Sequence, residues 1–266
     1  MNPAYLLDDV VNLAREAGDA IMAVYAEAFD VQRKHDNSPL TAADLAAHHI
    51  IQGGLERLQP NYPVISEESA AIPFDTRRQW TTYWLVDPLD GTREFIKRNG
   101  EFTVNIALIH EHEPVLGVVF APALGLLFHA VRGNGAWRRL GTGQPRRILS
   151  RRFDATRVTV AGSRSHGDER LLAFLQRIGP HMLVSMGSSL KICLVAEGRA
   201  DLYPRLGLTS EWDTAAAQCV LEEAGGALID TRRRTIRYNT KDSLLNPEFF
   251  ACGAAAPDWS AHLDPP

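Results

Sequence analysis

The sequence predicts a mixed α and β protein in two parts: an α+β part over residues 1–155, built on an antiparallel sheet, and an α/β part over residues 156–266. Three observations carry that expectation. Two helical patterns open the chain. A series of short strand patterns follows them. Beyond about residue 150, strands and helices alternate. At 266 residues the chain can form two modest domains or one large one.

Taken in order, Leu6, Leu7, Val10, Val11, Leu13, Ala14, Ala17 and Ile21 recur at helical spacing, with Asn2 as N-cap and Pro3 as first helical residue. The polar loop QRKHDNSPLTAAD leads to a second helix running towards Leu58, where Thr41 and Asp44 fit a capping box. Between Val64 and Val131, the runs YPVIS, YWLV, FTVNIALI, VLGVVFA and LLFHAV are short and rich in β-branched and aromatic residues, as strands are. RGNGAW, Arg132 to Trp137, carries a hairpin signal. GTGQPRRILSRRFDA is polar, basic and aperiodic, as a crossing segment would be. Then RVTVAG reads as a strand, DERLLAFLQRIG as a helix, HMLVSMG as a strand and SSLKICLVAEG as a helix. ADLYP is a strand, EWDTAAAQCVLEEAGG a helix closing on glycines, and ALID a strand. There is no internal repeat and no low-complexity tract.

Composition narrows the function classes. A hydrophobic content of 45% suits a sizeable core, and a net charge of −4 argues against general nucleic-acid binding. Cys193, Cys219 and Cys252 are widely spaced and form no C-x-x-C pair, which argues against a disulfide framework or a zinc ribbon and fits a reducing compartment. The opening MNPAYLLDDVVNLAREAG lacks a basic leader and a continuous apolar run, so no signal peptide is expected, and no window has the length of a bilayer span. The expectation is a cytoplasmic protein. Peripheral attachment to the cytoplasmic side of the inner membrane stays open, as does the oligomeric state.

The chemistry concentrates at WLVDPLDGTREF, where an apolar run ends in two acids three residues apart. Carboxylates that close repel unless something positive sits between them. Pro88 fixes one backbone angle and Gly91 permits a sharp turn, so Asp87, Asp90 and the Leu89 carbonyl can be aimed to one side. Glu67 and Glu68 follow the strand PVIS, and Asp213 opens the WDTAAAQC helix. These are hard oxygens without thiolate or imidazole, a set that suits magnesium far better than zinc. Each motif also has a plain reading: a polar β-turn for DPLD, a helix start for Asp44 and for Asp213. The His48–His49 pair reads as part of a helix with no metal role.

SEES, then DPLDGT, then WDTAAAQ with a later Gly-Gly, resemble the inositol monophosphatase superfamily, and the likeness extends from KHDNSPLTAAD to LNPEF. The resemblance implies a layered αβαβα sandwich of the inositol monophosphatase/fructose bisphosphatase type, and a magnesium-dependent, lithium-sensitive phosphomonoesterase. It implies that Glu67, Asp87 and the Leu89 carbonyl hold one Mg2+, and that Asp87, Asp90 and Asp213 hold a second. A third, weaker ion would lie near Glu67. Thr92 resembles the threonine that orients the attacking water, and Asp44 the acid linked to it, with Glu67 also placed in the catalytic set.

Within the superfamily, the second part of the chain must tell inositol phosphates from nucleotides. GSSLK, Gly187 to Lys191, follows a strand and opens a helix, so its backbone N–H groups, the Ser188 and Ser189 hydroxyls and the Lys191 ammonium can receive an anion. In inositol monophosphatases the position of Arg205 in YPRLG carries a sugar-binding glutamate; arginine offers a planar fork to a second phosphate. His166 in SRSH resembles a nucleotide-contacting histidine. With Glu67, Leu89, Asp90, Gly91, Thr92 and Asp213, these make up the substrate-binding set. The resemblance therefore points to the branch that hydrolyses the 3′-phosphate of 3′-phosphoadenosine 5′-phosphate to AMP and phosphate, clearing a by-product of sulfate activation. The partner is thus a small phosphorylated nucleotide. A broad inositol monophosphatase and a non-catalytic phosphonucleotide sensor are the alternatives, and the intact acid set argues against the sensor.

Overall fold

The structure is a computed structural model, and it describes residues 3–26, 32–33, 39–40, 42–69, 71–162 and 169–263. Helix α1, Leu7–Ala26, follows a 3-10 turn at Ala4–Leu6, with Pro3 at its cap. Strands β1, Gln32–Arg33, and β2, Pro39–Leu40, pair antiparallel. Helix α2 spans Ala42–Leu55. Asn2 and Thr41, expected to cap these two helices, lie outside the described residues.

Seven strands then form one sheet in sequence order: β3 (Val64–Ser66), β4 (Thr82–Asp90), β5 (Thr103–His110), β6 (Glu113–Ala121), β7 (Leu126–Val131), β8 (Ala136–Leu140) and β9 (Arg146–Ile148). Short helices α3 (Phe74–Arg77) and α4 (Thr92–Ile96) flank β4. RGNGAW makes the hairpin turn between β7 and β8, with Ala130 opposite Ala136. Two expectations need correction. The sheet is not purely antiparallel, because β3 pairs parallel with β4. GTGQPRRILSRRFDA is not all connection, because Arg146–Ile148 adds β9 to the edge. Its pattern is hidden because Arg146 and Arg147 sit exposed on an edge strand and only Ile148 is buried.

The second sheet has the order β11 (Met182–Ser185), β10 (Thr159–Gly162), β12 (Leu202–Arg205), β14 (Phe249–Cys252), β13 (Ala227–Asp230). Helices α5 (Glu169–Ile178), α6 (Leu190–Ala196) and α7 (Glu211–Glu223) fall between its strands in sequence. β10 pairs parallel with β11 and β12, whereas β14 is antiparallel to both its neighbours.

Alternation along the strands assigns the layers. Trp84, Val86, Val104 and Ile106 face α1 and α2 in one core, while Tyr83, Leu85, Ala107 and Ile109 face α6 and α7 in another. That second core also takes Tyr203, Leu228 and Ala251 from the five-stranded sheet, so α6 and α7 are sandwiched between two sheets. Phe174 of α5 packs with Val160, Leu202 and Phe250 on the far side. The result is the expected αβαβα sandwich. The chain ends of β3, β4 and β12 and the starts of α2, α6 and α7 meet at one rim, where the candidate acids lie.

Candidate active site

Residues three apart on a regular strand point to opposite faces. Asp87 and Asp90 escape that rule. Asp87 stands opposite Asn105 and Asp90 opposite Thr103, so β4 advances three residues while β5 advances two. This is a β-bulge, and the extra residue returns Asp90 to the face of Asp87. Pro88 sits within the bulge, where its missing N–H costs no ladder bond. The Leu89 N–H donates to Asp87 Oδ1 at 3.0 Å, which ties the bulge to the first acid. Gly91 then turns the chain with φ +91° and caps α4, whose first residue is Thr92.

Asp87 is buried, and its carboxyl is pushed well above the usual carboxylate range, first by burial and then by the charges of Glu67, Asp90, Asp213 and Asp44. Four acids therefore act on a fifth. Asp44 arrives from the first turn of α2 and is fully buried. Glu67 arrives from the end of β3, its N–H donating to the Val86 carbonyl at 3.2 Å. Asp213 arrives as the third residue of α7. There it completes a capping box, accepting the Ser210 N–H at 2.9 Å, so its plain helix-start role is present as well. Burial and Asp90 also push the Asp213 carboxyl up.

The segment Gly187–Lys191 closes the other side. Gly187 is there for space: a Cβ would stand 2.6 Å from the Glu101 carbonyl and 2.7 Å from Glu94 Cγ. The sequence offers the N–H groups of this segment to an anion, but the structure gives two of them to carboxylates. Gly187 N–H donates to Glu101 Oε2 at 2.8 Å and Ser189 N–H to Asp90 Oδ2 at 2.6 Å. The Ser188 hydroxyl also donates to Asp90 Oδ2, at 2.6 Å, from a residue held at φ +54°. The segment is thus a cradle for Asp90. Lys191 is buried, donates to the Ser188 carbonyl at 2.7 Å and lies 5.4 Å from the Tyr203 ring centroid. Burial pulls its ammonium down, with Asp90 opposing. Arg205, at the end of β12, donates to the Leu208 carbonyl at 2.8 Å.

One cavity joins these groups. Asp90, Asp213, Lys191 and Arg205 all line it, so it has carboxylates and cations on a common wall. A model of the inositol monophosphatase family matches residues 3–260.

The chain belongs to that family.

Two relatives, both 3′(2′),5′-bisphosphate nucleotidases CysQ, come from Salmonella typhimurium and from Escherichia coli strain K12. Each is 52% identical over 246 residues, covering 92% of this chain and 98% of the relative. The crystal structure of CysQ from Bacteroides thetaiotaomicron, a bacterial member of the inositol monophosphatase family, superposes with a TM-score of 0.81 at 40% identity. The match covers 94% of this chain and 97% of that one. SuhB from Bartonella henselae, a more distant relation at 26% identity, gives a TM-score of 0.78, covering 97% of each chain.

The donor set can be tested against magnesium directly. Glu67, Asp87, Asp90 and Asp213 bring only carboxylate oxygens, the hard donors that a small divalent cation takes. Mutual repulsion around a buried Asp87 is what such a cation would relieve. Among the described residues, however, no three acids, histidines or cysteines are drawn to a common point. Asp90 and Asp213 each turn an oxygen to local donors instead. The residues fit the ion by chemistry and by location, with side-chain rotations left to make.

Of the residues singled out from sequence, the structure gathers Asp44, Glu67, Asp87, Asp90 and Asp213 around one charge cluster. It places Gly91, Ser188, Ser189, Lys191 and Arg205 along the adjoining cavity. His166 lies outside the described residues. Sequence reasoning missed Arg93, Tyr203, Thr209 and Phe249 in the cavity wall. Arg93 had a signal, being the base directly after Thr92, and Tyr203 shares the face of Arg205 by strand alternation. Thr209 and Phe249 had none. His48, which reads in the sequence as having no metal role, lies one turn beyond Asp44, is buried, and its Nδ1 is 3.1 Å from the Ser66 hydroxyl, beside Glu67.

Proposed function

We propose that this chain is a magnesium-dependent 3′(2′),5′-bisphosphate nucleotidase that converts 3′-phosphoadenosine 5′-phosphate and water to AMP and phosphate. The observation that carries the reading is the shared cavity, with Asp90 and Asp213 on its wall together with Lys191 and Arg205. A substrate with one phosphate needs only the acid side and its cation. A substrate with two also has use for Arg205, and the 52% identity to nucleotidases supports the same choice.

Glu67, Asp87, the Leu89 carbonyl, Asp90 and Asp213 would hold magnesium, which when bound would supply positive charge to the transferring phosphoryl group and acidify a water. The chain's own groups do the rest. The Thr92 hydroxyl and the Asp44 carboxylate orient the attacking water, with Glu67 beside them. Ser188 and Ser189 hold Asp90. Lys191 and Arg205 fix the nucleotide by its second phosphate, and His166 contacts the nucleoside. Clearing a by-product of sulfate activation is the cellular role we assign, and lithium is expected to inhibit. Among the described residues no helix is long and apolar enough to cross a membrane.

The test compares phosphate release from the bisphosphate nucleotide and from inositol 1-phosphate at saturating magnesium. We expect kcat/KM to favour the nucleotide by more than about tenfold, the worth of one charge-assisted phosphate contact. Preference for inositol 1-phosphate would make the chain an inositol monophosphatase. Tight nucleotide binding with no release from any phosphomonoester would make it a sensor.

A further inference from the structure

Beneath the acids, on β5, lies a side chain the proposed mechanism does not use. Asn105 is 1% exposed and stands directly opposite Asp87 across the β4–β5 ladder. Residues paired in this way point to the same face. That face is the one turned to α6 and α7, since Ala107 and Ile109 next along β5 pack there. Asn105 Oδ1 accepts the Ser189 hydroxyl at 2.9 Å, and Ser189 N–H in turn holds Asp90. The Asn105 Nδ2, by contrast, is buried with no hydrogen-bond partner.

An orphaned amide N–H at this depth is costly, because it has given up water without gaining a protein partner. The opposite amide orientation does not remove the problem. It would put a carbonyl oxygen where Nδ2 now stands, on the face that Asn105 shares with Asp87. The Ser189 hydroxyl, which also meets Thr103 Oγ1 at 2.9 Å, donates to the Asn105 oxygen, and this leaves the NH2 end of the amide without a partner.

We infer that Asn105 is a positioning residue for Asp87: its N–H is the donor that holds the Asp87 carboxylate when the acids close on magnesium. The inference rests on the reading of those acids as magnesium ligands. Asp87 is the cross-strand neighbour of Asn105 on that face, at the roughly 4.5–5.5 Å that separates the Cβ atoms of directly opposed residues. Through Ser189 the same amide is linked to Asp90, so one neutral side chain connects two acids of the cluster without adding charge. A neutral donor suits this place because a lysine or arginine would compete with the cation for the same oxygens.

The test uses Asn105→Leu, which keeps the approximate shape and removes the polar ends. Thermal unfolding is followed against magnesium concentration with no nucleotide present, and kcat and KM are measured separately. Asn105→Leu removes the orphaned Nδ2 and also the acceptor of the Ser189 hydroxyl, which keeps Thr103 Oγ1 at 2.9 Å, so the magnesium response of each protein is read against its own magnesium-free Tm. We expect the magnesium concentration that gives half of the rise in Tm to increase by about tenfold or more. We expect kcat to fall by about 10–100-fold, the usual effect of losing a partner behind a metal ligand, with KM for the nucleotide within about threefold. Parental magnesium response and parental kcat in Asn105→Leu would overturn the inference. So would a loss confined to KM, which would make Asn105 a substrate contact. Asn105→Ala, which adds no bulk, decides the matter by the same readouts if the leucine is not accommodated. A parent protein whose Tm ignores magnesium would overturn the reading of the acids themselves, a result distinct from a parent that responds and a variant that responds equally.

Discussion

Pro88 and Leu89 lengthen β4 by one residue relative to β5, and that single insertion sets Asp87 and Asp90 on one face. Asp90 then has three jobs in small compass: it accepts the Ser188 hydroxyl, accepts the Ser189 N–H and bears on the charge of Asp87. Asp90→Asn should abolish turnover and leave the fold intact, because it removes one charge and almost no volume. Near-normal activity at ordinary magnesium, with a parental circular dichroism spectrum, would refute the ligand assignment. At the other side of the cavity, Arg205→Glu should cut kcat/KM for the bisphosphate nucleotide by more than about tenfold, since a charge-assisted contact contributes roughly 1.5–3 kcal/mol and the acid adds repulsion. Hydrolysis of inositol 1-phosphate should change little. Equal loss on both substrates would make Arg205 structural. The two carboxylates, the proline and the glycine of DPLDG were legible in sequence because each acts locally. The bulge register was not, because it depends on which β5 residue stands opposite. Nor could sequence show that Ser189 N–H is spent on Asp90, since that bond joins residues 99 apart in the chain.

Helix α7 is the element that couples site and scaffold. Its third residue is Asp213, while its first, Glu211, is buried and accepts the Asn239 N–H at 2.8 Å. Burial pushes the Glu211 carboxyl up to about 7 from an ordinary 4.5, against the Asn239 N–H, Lys241 and Arg77, which favour the charged form. The folded protein therefore holds this proton more tightly than the unfolded chain. The stability it contributes is complete below about pH 4.5 and is lost as pH rises to about 7. The loss is about 3 kcal/mol by the usual conversion of such a shift. Glu211→Gln keeps an acceptor for Asn239 and cannot ionise, so the stability of the parent relative to this variant should fall across that window in urea unfolding. A constant difference would contradict the account. At this scale the sequence announced α7, α5 and most strands, since period 3.6 and runs of β-branched residues are written locally. It did not announce β14, because FFAC is a short apolar run after a long irregular stretch. That strand's partners, β12 and β13, come from residues well before it. The parallel pairing of β3 was hidden for a similar reason, as pairing direction belongs to two strands together.

Across the whole molecule, one apolar core draws on both sheets, from Tyr83 and Val119 in one to Tyr203 and Ala251 in the other, with α6 and α7 between them. The rim where these layers end is where acids from α2, β3, β4 and α7 converge. The layered architecture came from family resemblance; composition and periodicity alone gave only two textures in one chain. Ions should act on this assembled rim. Calcium should inhibit in competition with magnesium, because its longer bonds and looser geometry misplace the attacking water. Lithium should inhibit with magnesium still required. Steady-state rates in mixed salts check both, and full activity in calcium alone would count against a site built for a small octahedral ion. The most direct measurement identifies the product formed from 3′-phosphoadenosine 5′-phosphate before chelation, after chelation and after magnesium is restored. The account predicts AMP and phosphate with magnesium, no turnover once it is chelated, and full recovery on its return. Release of the 5′-phosphate, leaving 3′-AMP, or turnover indifferent to chelation, would contradict it.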